Sequence, residues 1–290
     1  MVRKLTVRGW SKWWPFAALC VVVASRWMLV NVRPEAVSTV ASQAAGCGMA
    51  ACLCFLNLLR HRKAELWSST GARAALSGAM LLCGPAIALV MGARVDPIAV
   101  VMALSLTPVA AGVAQTALGE KSSGNLAGSV WPGLAAVAGL LLLLAQPSFS
   151  RFEVVAALLL APLLTGVGAS VFRVGKESGT GVSLQKVGAL SGAAVVFAIG
   201  ILIVRLRGGA ATASGLAAAA DALMAWLSVT ALERVGTTRW TAQFTLVPLI
   251  FLLEGILLMR PILNARSLTG LGLLLLASLF LLIPSSEEDA

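Results

Sequence analysis

Residues Gln243 to Arg260 read QFTLVPLIFLLEGILLMR. The run is long enough to cross a bilayer, holds Pro248 near its middle, and carries one carboxylate, Glu254, among apolar side chains. It has an echo upstream. Leu106-Thr107-Pro108-Val109 opens an apolar run ending at Gly119-Glu120, and Leu246-Val247-Pro248-Leu249 opens its counterpart, 140 positions later. Each proline precedes the terminal charge, Glu120 or Arg260, by twelve residues. Self-similarity at nearly half the chain length points to duplicated architecture.

The rest of the chain is of the same kind. Of 290 residues, 59% are apolar and 12% charged, and the mean hydropathy is +0.92. A soluble domain carries about 25% charged residues, whereas a spanning helix needs ~20 mostly apolar ones. The composition therefore predicts an all-α integral membrane protein whose solvent is the lipid bilayer. The net charge of +10 does not point to nucleic acid, because the bases stand singly or in short clusters between apolar runs and form no basic stripe with interleaved aromatics.

Ten spans are expected: 15–32, 35–59, 72–91, 97–118, 130–145, 154–172, 187–204, 211–231, 240–259 and 267–283. The Gln146-Pro147-Ser148 turn divides them into two sets of five, 1–146 and 147–290. A half that crosses an odd number of times leaves its successor in the opposite orientation, so the halves are expected to be inverted repeats. With the amino terminus inside, the inside segments hold 14 Lys and Arg and the outside loops hold 7. That bias follows the positive-inside rule and places both termini in the cytoplasm. The basic amino end followed by Trp10, Trp13 and Trp14 suits a cytoplasmic interface. The first apolar run contains Arg26 and lacks a small-x-small cleavage site, so it is read as a span and not as a signal peptide.

This layout resembles the drug/metabolite transporter superfamily, in its ten-helix EamA-like branch of two five-helix repeats. The residues that carry the resemblance are Pro108, Gly119-Glu120, Trp131-Pro132-Gly133 and Gly139 in the first half, and Pro248, Arg260, Gly270 and Gly272 in the second. Arg260 stands where the family often has a glutamate. The resemblance implies a transporter of the inner, or plasma, membrane, acting on amino acids, nucleotide sugars, lipid-linked sugars, choline-like cations or drugs.

Three charged groups fall well inside predicted spans, away from the first residues: Arg26, Asp221 and Glu254. A charge at mid-bilayer costs at least ~2.5–3.5 kcal/mol, which makes each a functional candidate. Arg26 and Glu254 both stand six residues before the outer end of their spans, at equal depth, where they can pair. Two readings of that pair stand: an ion pair that locks two helices in register, or a site where Glu254 exchanges a proton or substrate cation for Arg26. Arg26 neutralises only one of two acids, so the other is expected to be protonated, wet or bound to another cation.

Gln243 shares a helix face with Glu254, three turns away. Ser105, Pro108, Gly112, Gln115 and Gly119 form a similar stripe, read either as a cavity wall or as tight helix packing. Pro108, Pro162 and Pro248 each free a backbone carbonyl, a break tolerated where protein or a wet cavity satisfies it. Trp27, Trp226 and Trp240 are candidates for an aromatic cage around an organic cation, with Trp240 placed at a membrane interface. The five cysteines are read as small core residues, and neither metal nor cofactor is expected.

The function expected is secondary active transport of a small organic metabolite or drug by alternating access, proton-coupled and in the export direction, by a monomer or homodimer. A facilitated exchanger or lipid-linked-substrate flippase of the same fold is the alternative. A membrane enzyme is disfavoured because the single histidine, His61, and the scattered carboxylates form no catalytic cluster. A non-transporting scaffold is the remaining class. No phosphate-cradling glycine loop followed by Lys-Ser/Thr encodes ATP drive.

Overall fold

In the computed structural model, residues 7–29, 36–60, 69–92, 97–118, 126–143, 152–177, 182–206, 214–259 and 264–283 are described. They form α1 (Val7–Leu29), α2 (Ala36–Arg60), α3 (Ser69–Gly92), α4 (Pro97–Leu104), α5 (Thr107–Ala117) and α6 (Leu126–Leu143). There follow α7 (Phe152–Glu177), α8 (Val182–Leu206), α9 (Gly215–Val235), α10 (Thr237–Thr241), α11 (Gln243–Met259) and α12 (Ala265–Leu282). Among the described residues, seven stretches are long and apolar enough to cross a membrane, α4 and α5 counting as one, Ala99–Ala117. The protein is a helical, multi-pass membrane protein. The Gln146-Pro147-Ser148 turn, Gly119-Glu120, His61, Arg260 and both ends of the chain lie outside the described residues.

Apolar side chains cover the outside as well as the inside. Val21, Leu53, Leu56, Leu76, Leu160, Ile199, Leu202 and Phe280 are all exposed, an outer surface suited to lipid tails rather than water. Since lipid is as apolar as the core, close packing must hold the helices together. The interior is accordingly built from small residues, among them Ala24, Ala161, Ala169, Ala189, Ala193, Ala231 and Ala242, each fully buried. Of the cysteines, Cys20 and Cys47 are buried in this core, whereas Cys52 is exposed.

The packing has a plain order. α3 lies between α7 and α8, α2 lies between α8 and α9, and α1 packs on α9 and α11. α5 packs on α6 and α7, α11 on α12, and α6 on α12. Two crossings are especially close. Where α3 meets α8, a Cβ on Gly78 would collide with the Ala189 backbone, and one on Gly192 with the Ala75 backbone. Where α2 meets α9, a Cβ on Gly46 would stand 2.6 Å from the Asp221 Cβ and 2.8 Å from the Ala218 carbonyl oxygen.

The proline-bearing spans are interrupted in different ways. The α4–α5 helix tightens to a Leu106 N–H···O=C Ala103 bond of 3.0 Å just before Pro108. Pro108 has no N–H to offer the Leu104 carbonyl, and Thr107 Oγ1 donates to it instead at 2.6 Å. In the other span the breaks lie before the proline, at Ala242 six residues ahead of it and at Gly236 twelve ahead. Gly236, at φ 84°, lets α9 turn directly into the five-residue α10, a conformation that only glycine adopts freely. Pro248 leaves the Phe244 carbonyl without its helical donor, and Ser105 Oγ approaches that carbonyl at 3.2 Å while donating to the Val101 carbonyl at 2.9 Å. The hydroxyl of one broken span thus serves the carbonyl freed in the other.

Candidate binding and coupling site

α9 and α11 are joined at α10, so the start of α9 and the end of α11 share the opposite end of the bundle. Asp221 and Glu254 both stand toward that end, on two helices that each pack against α1. α9 runs Gly215–Val235, four residues later than the expected span. Asp221 consequently sits six residues, about 9 Å, from the start of its helix and not at mid-span. Asp221 is 3% exposed, and Ser42 Oγ of α2 donates to its Oδ2 at 2.6 Å. Gly46, one turn after Ser42, supplies the close approach that makes this bond possible.

Glu254 is half-buried five residues before the end of α11, and its Oε2 is buried with no hydrogen-bond partner among the described residues. Arg26 and Trp27 belong to the end of α1, which packs against both α9 and α11. Their side chains lie outside the described residues, and with them the Arg26–Glu254 pair.

The other end of α9 carries a second polar region that sequence reading had assigned to a loop and a membrane interface. Trp240, expected at the interface, is 1% exposed and stands edge-on to Phe244, with centroids 5.5 Å apart. Arg239, counted among loop charges, is 6% exposed, with its guanidinium 5.8 Å from the Trp13 ring centroid. Both corrections have one cause: only Gly236 separates α9 from α10, so no loop exists there to carry them outward. Gln243 heads α11 and is 5% exposed. Around this region, Lys186 pairs with Glu233 at 2.6 Å, and Arg234 lies over the Trp14 ring at 5.8 Å. Trp226 is half-buried against Trp14, with centroids 6.1 Å apart.

The stripe on α5 is buried at Pro108, Gly112 and Gln115, with Ser105 buried just before it. Its neighbour α7 approaches closely: a Cβ on Gly166 would stand 2.6 Å from the Ala111 nitrogen. Helix packing therefore accounts for much of this surface, and Pro162 is buried in α7 one turn before Gly166. Thr245 Oγ1 donates to the Ala242 carbonyl at 2.9 Å and accepts from Ser278 Oγ at 2.9 Å, which ties α11 to α12. Sequence reasoning missed Ser42, Thr237 and Arg239 as site residues. The available signal was Gly236 standing alone between two helical patterns, with Thr237, Thr238 and Arg239 directly after it.

No family model matches the sequence, and no curated protein does. Solved structures do. One, described only as "Crystal structure of protein", superposes with a TM-score of 0.68 over 93% of this chain and 96% of its own, at 12% identity. Likeness at that identity is a likeness of fold, and it extends over nearly the full length of both chains.

Proposed function

We propose that this chain is a secondary active transporter of a small organic metabolite or drug, of the drug/metabolite transporter superfamily, working by alternating access between two inverted five-helix repeats. One observation carries the proposal. Exchange α1 with α7, α2 with α8, α3 with α9, α4–α5 with α10–α11, and α6 with α12. The contact of α3 with α7 then maps onto that of α9 with α1, and α3 with α8 onto α9 with α2. Likewise α5 with α7 maps onto α11 with α1, and α5 with α6 onto α11 with α12, while α2–α8 and α6–α12 map onto themselves. A scheme of contacts that survives this exchange is the pattern that alternating access uses, one repeat rocking against the other.

Two further features support the reading. The proline-broken spans meet through Ser105 and Phe244, as transport folds place broken helices around a shared site. Two carboxylates, Asp221 and Glu254, stand at one end of the bundle inside apolar helices, the placement from which protons are relayed. On this proposal the chain has ten spans, cytoplasmic termini in the inner membrane, and export coupled to protons.

The test is flux in proteoliposomes under an imposed pH gradient. Solute movement follows the gradient in the wild type, and Glu254→Gln abolishes that dependence. If Glu254→Gln and Asp221→Asn both leave gradient-driven flux intact, proton coupling is wrong. A wild type that moves no solute across a broad metabolite panel would remove transport itself.

A further inference from the structure

α10 and the head of α11 gather buried hydrogen-bonding groups that find no partner among the described residues. Thr237, Trp240 and Gln243 are 0%, 1% and 5% exposed. Thr237 Oγ1, Trp240 Nε1 and Gln243 Nε2 have no hydrogen-bond partner among the described residues. The same holds for Thr230 Oγ1, near the end of α9. Interiors satisfy nearly all such groups, so several in one short stretch call for an explanation.

Two of these groups are donors only, and the threonine hydroxyls can donate beside them. An indole N–H only donates, an amide nitrogen donates twice, and a hydroxyl can donate. Thr237, Trp240 and Gln243 follow one another at intervals of three residues across the junction of α10 and α11. Arg239, four residues before Gln243, brings a buried guanidinium to the same stretch, 5.8 Å from the Trp13 ring centroid. α10 itself is central, packed against α5, α7, α9 and α12.

We propose that this arc is the subsite for a carboxylate on the transported solute, an inference that rests on the transport reading above. The indole N–H, the amide NH2 and the threonine hydroxyls donate to the carboxylate oxygens, and Arg239 supplies the countercharge. A quaternary or primary amine offers no acceptor to these donors and meets a like charge. The arc therefore favours solutes that carry a carboxylate, amino acids among them, over choline-like cations. Glu254 is eleven residues further along α11, about 16 Å away, so the coupling acid does not repel a carboxylate held at the head of the helix.

The experiment uses the full chain in nanodiscs. Acetate, lactate, glutamate, benzoate and indole-3-acetate are titrated calorimetrically beside benzylamine, tryptamine, choline and inorganic phosphate. At least one carboxylate binds, and its affinity falls at least about tenfold in Trp240→Phe and in Gln243→Leu, the loss expected for one hydrogen bond to a charged group. The amines do not bind. In carboxylate-free buffer the shape-conserving Thr237→Val and Gln243→Leu melt at or above the wild-type temperature, because each removes a donor that had no acceptor to lose.

Four results overturn the subsite: no carboxylate binds, amines or phosphate bind better, the variants keep wild-type affinity, or both shape-conserving variants melt lower without carboxylate. Flux separates this failure from failure of the transport reading. Carboxylate binding without flux in proteoliposomes removes transport and leaves the subsite. Flux of an amine with inert carboxylates does the reverse.

Discussion

Two close helix crossings in this molecule differ by a pair of polar side chains. Where α3 crosses α8, Gly78 meets Ala189 and Gly192 meets Ala75. Where α2 crosses α9, Gly46 meets Asp221, and Ser42 one turn earlier donates to the carboxylate. Under the proposed exchange of halves these crossings are counterparts, with Ser42 and Gly46 standing where the other has Gly188 and Gly192. Both are shaped by glycine against a small-residue helix. Only one has acquired an acid. The lesson is that small residues set the approach of the helices, and chemistry is added at one of two crossings that already fit.

The comparison breaks most completely at the glycines. Gly192→Val drives a side chain into the Ala75 backbone, and destabilisation of about 3 kcal/mol or more is expected, at the top of the overpacking range. Gly46→Val, whose Cβ meets atoms at 2.6 to 2.8 Å, should be comparable, as measured by reversible unfolding in micelles. If Gly46→Val is tolerated and Gly192→Val is not, the crossings are not counterparts.

A smaller effect sharpens the chemical difference. Ser42→Ala removes a hydrogen bond to a buried carboxylate, at a cost of about 1.5–3 kcal/mol. Converting both partners, Ser42→Gly with Asp221→Ala, copies the α3–α8 crossing into α2–α9. Replacing a buried polar pair by fitting apolar groups is often neutral or stabilising. The double variant should therefore recover the stability that Ser42→Ala loses, and in the transport assay show whether Asp221 is needed for the response to a pH gradient.

The smallest effect lies between the broken spans. Ser105→Ala deprives the Phe244 carbonyl, already without a donor from Pro248, of its contact, a loss of about 1 kcal/mol. Thr107→Val should do the same to the Leu104 carbonyl. Equal losses in melting temperature would mean that hydroxyls compensate both prolines alike. A silent Ser105→Ala would mean that the 3.2 Å contact between spans contributes nothing.

Much of this was legible in the chain. The apolar runs located most helices to within about five residues, because a bilayer leaves a spanning segment no other way to satisfy its backbone, whereas α1 begins at Val7, eight residues before its expected span. Asp221 and Glu254 stood out because charges inside apolar runs are costly. What failed was register around span eight. Alanine-rich sequence such as that around Asp221 has no sharp boundary in hydropathy, so α9 was placed four residues early, and Asp221 with it. Trp240 looked like an interface residue because aromatic side chains near helix ends usually are, and Arg239 beside it drew no notice as a site residue. Their burial depends on Gly236 turning the chain within one residue.

By itself, then, the sequence determined the solvent, the helical class, the approximate helix limits and the residues whose charge must be explained. Those properties follow from composition and local periodicity, which each segment carries alone. Only the tertiary structure decided that Ser42 serves Asp221, that Ser105 reaches the carbonyl freed by Pro248, and that Trp240 and Gln243 are buried. Each of these joins residues far apart in the chain or depends on how neighbouring helices cover a short turn. Such relations arise when small side chains let helices approach closely enough for hydrogen bonds to form between them.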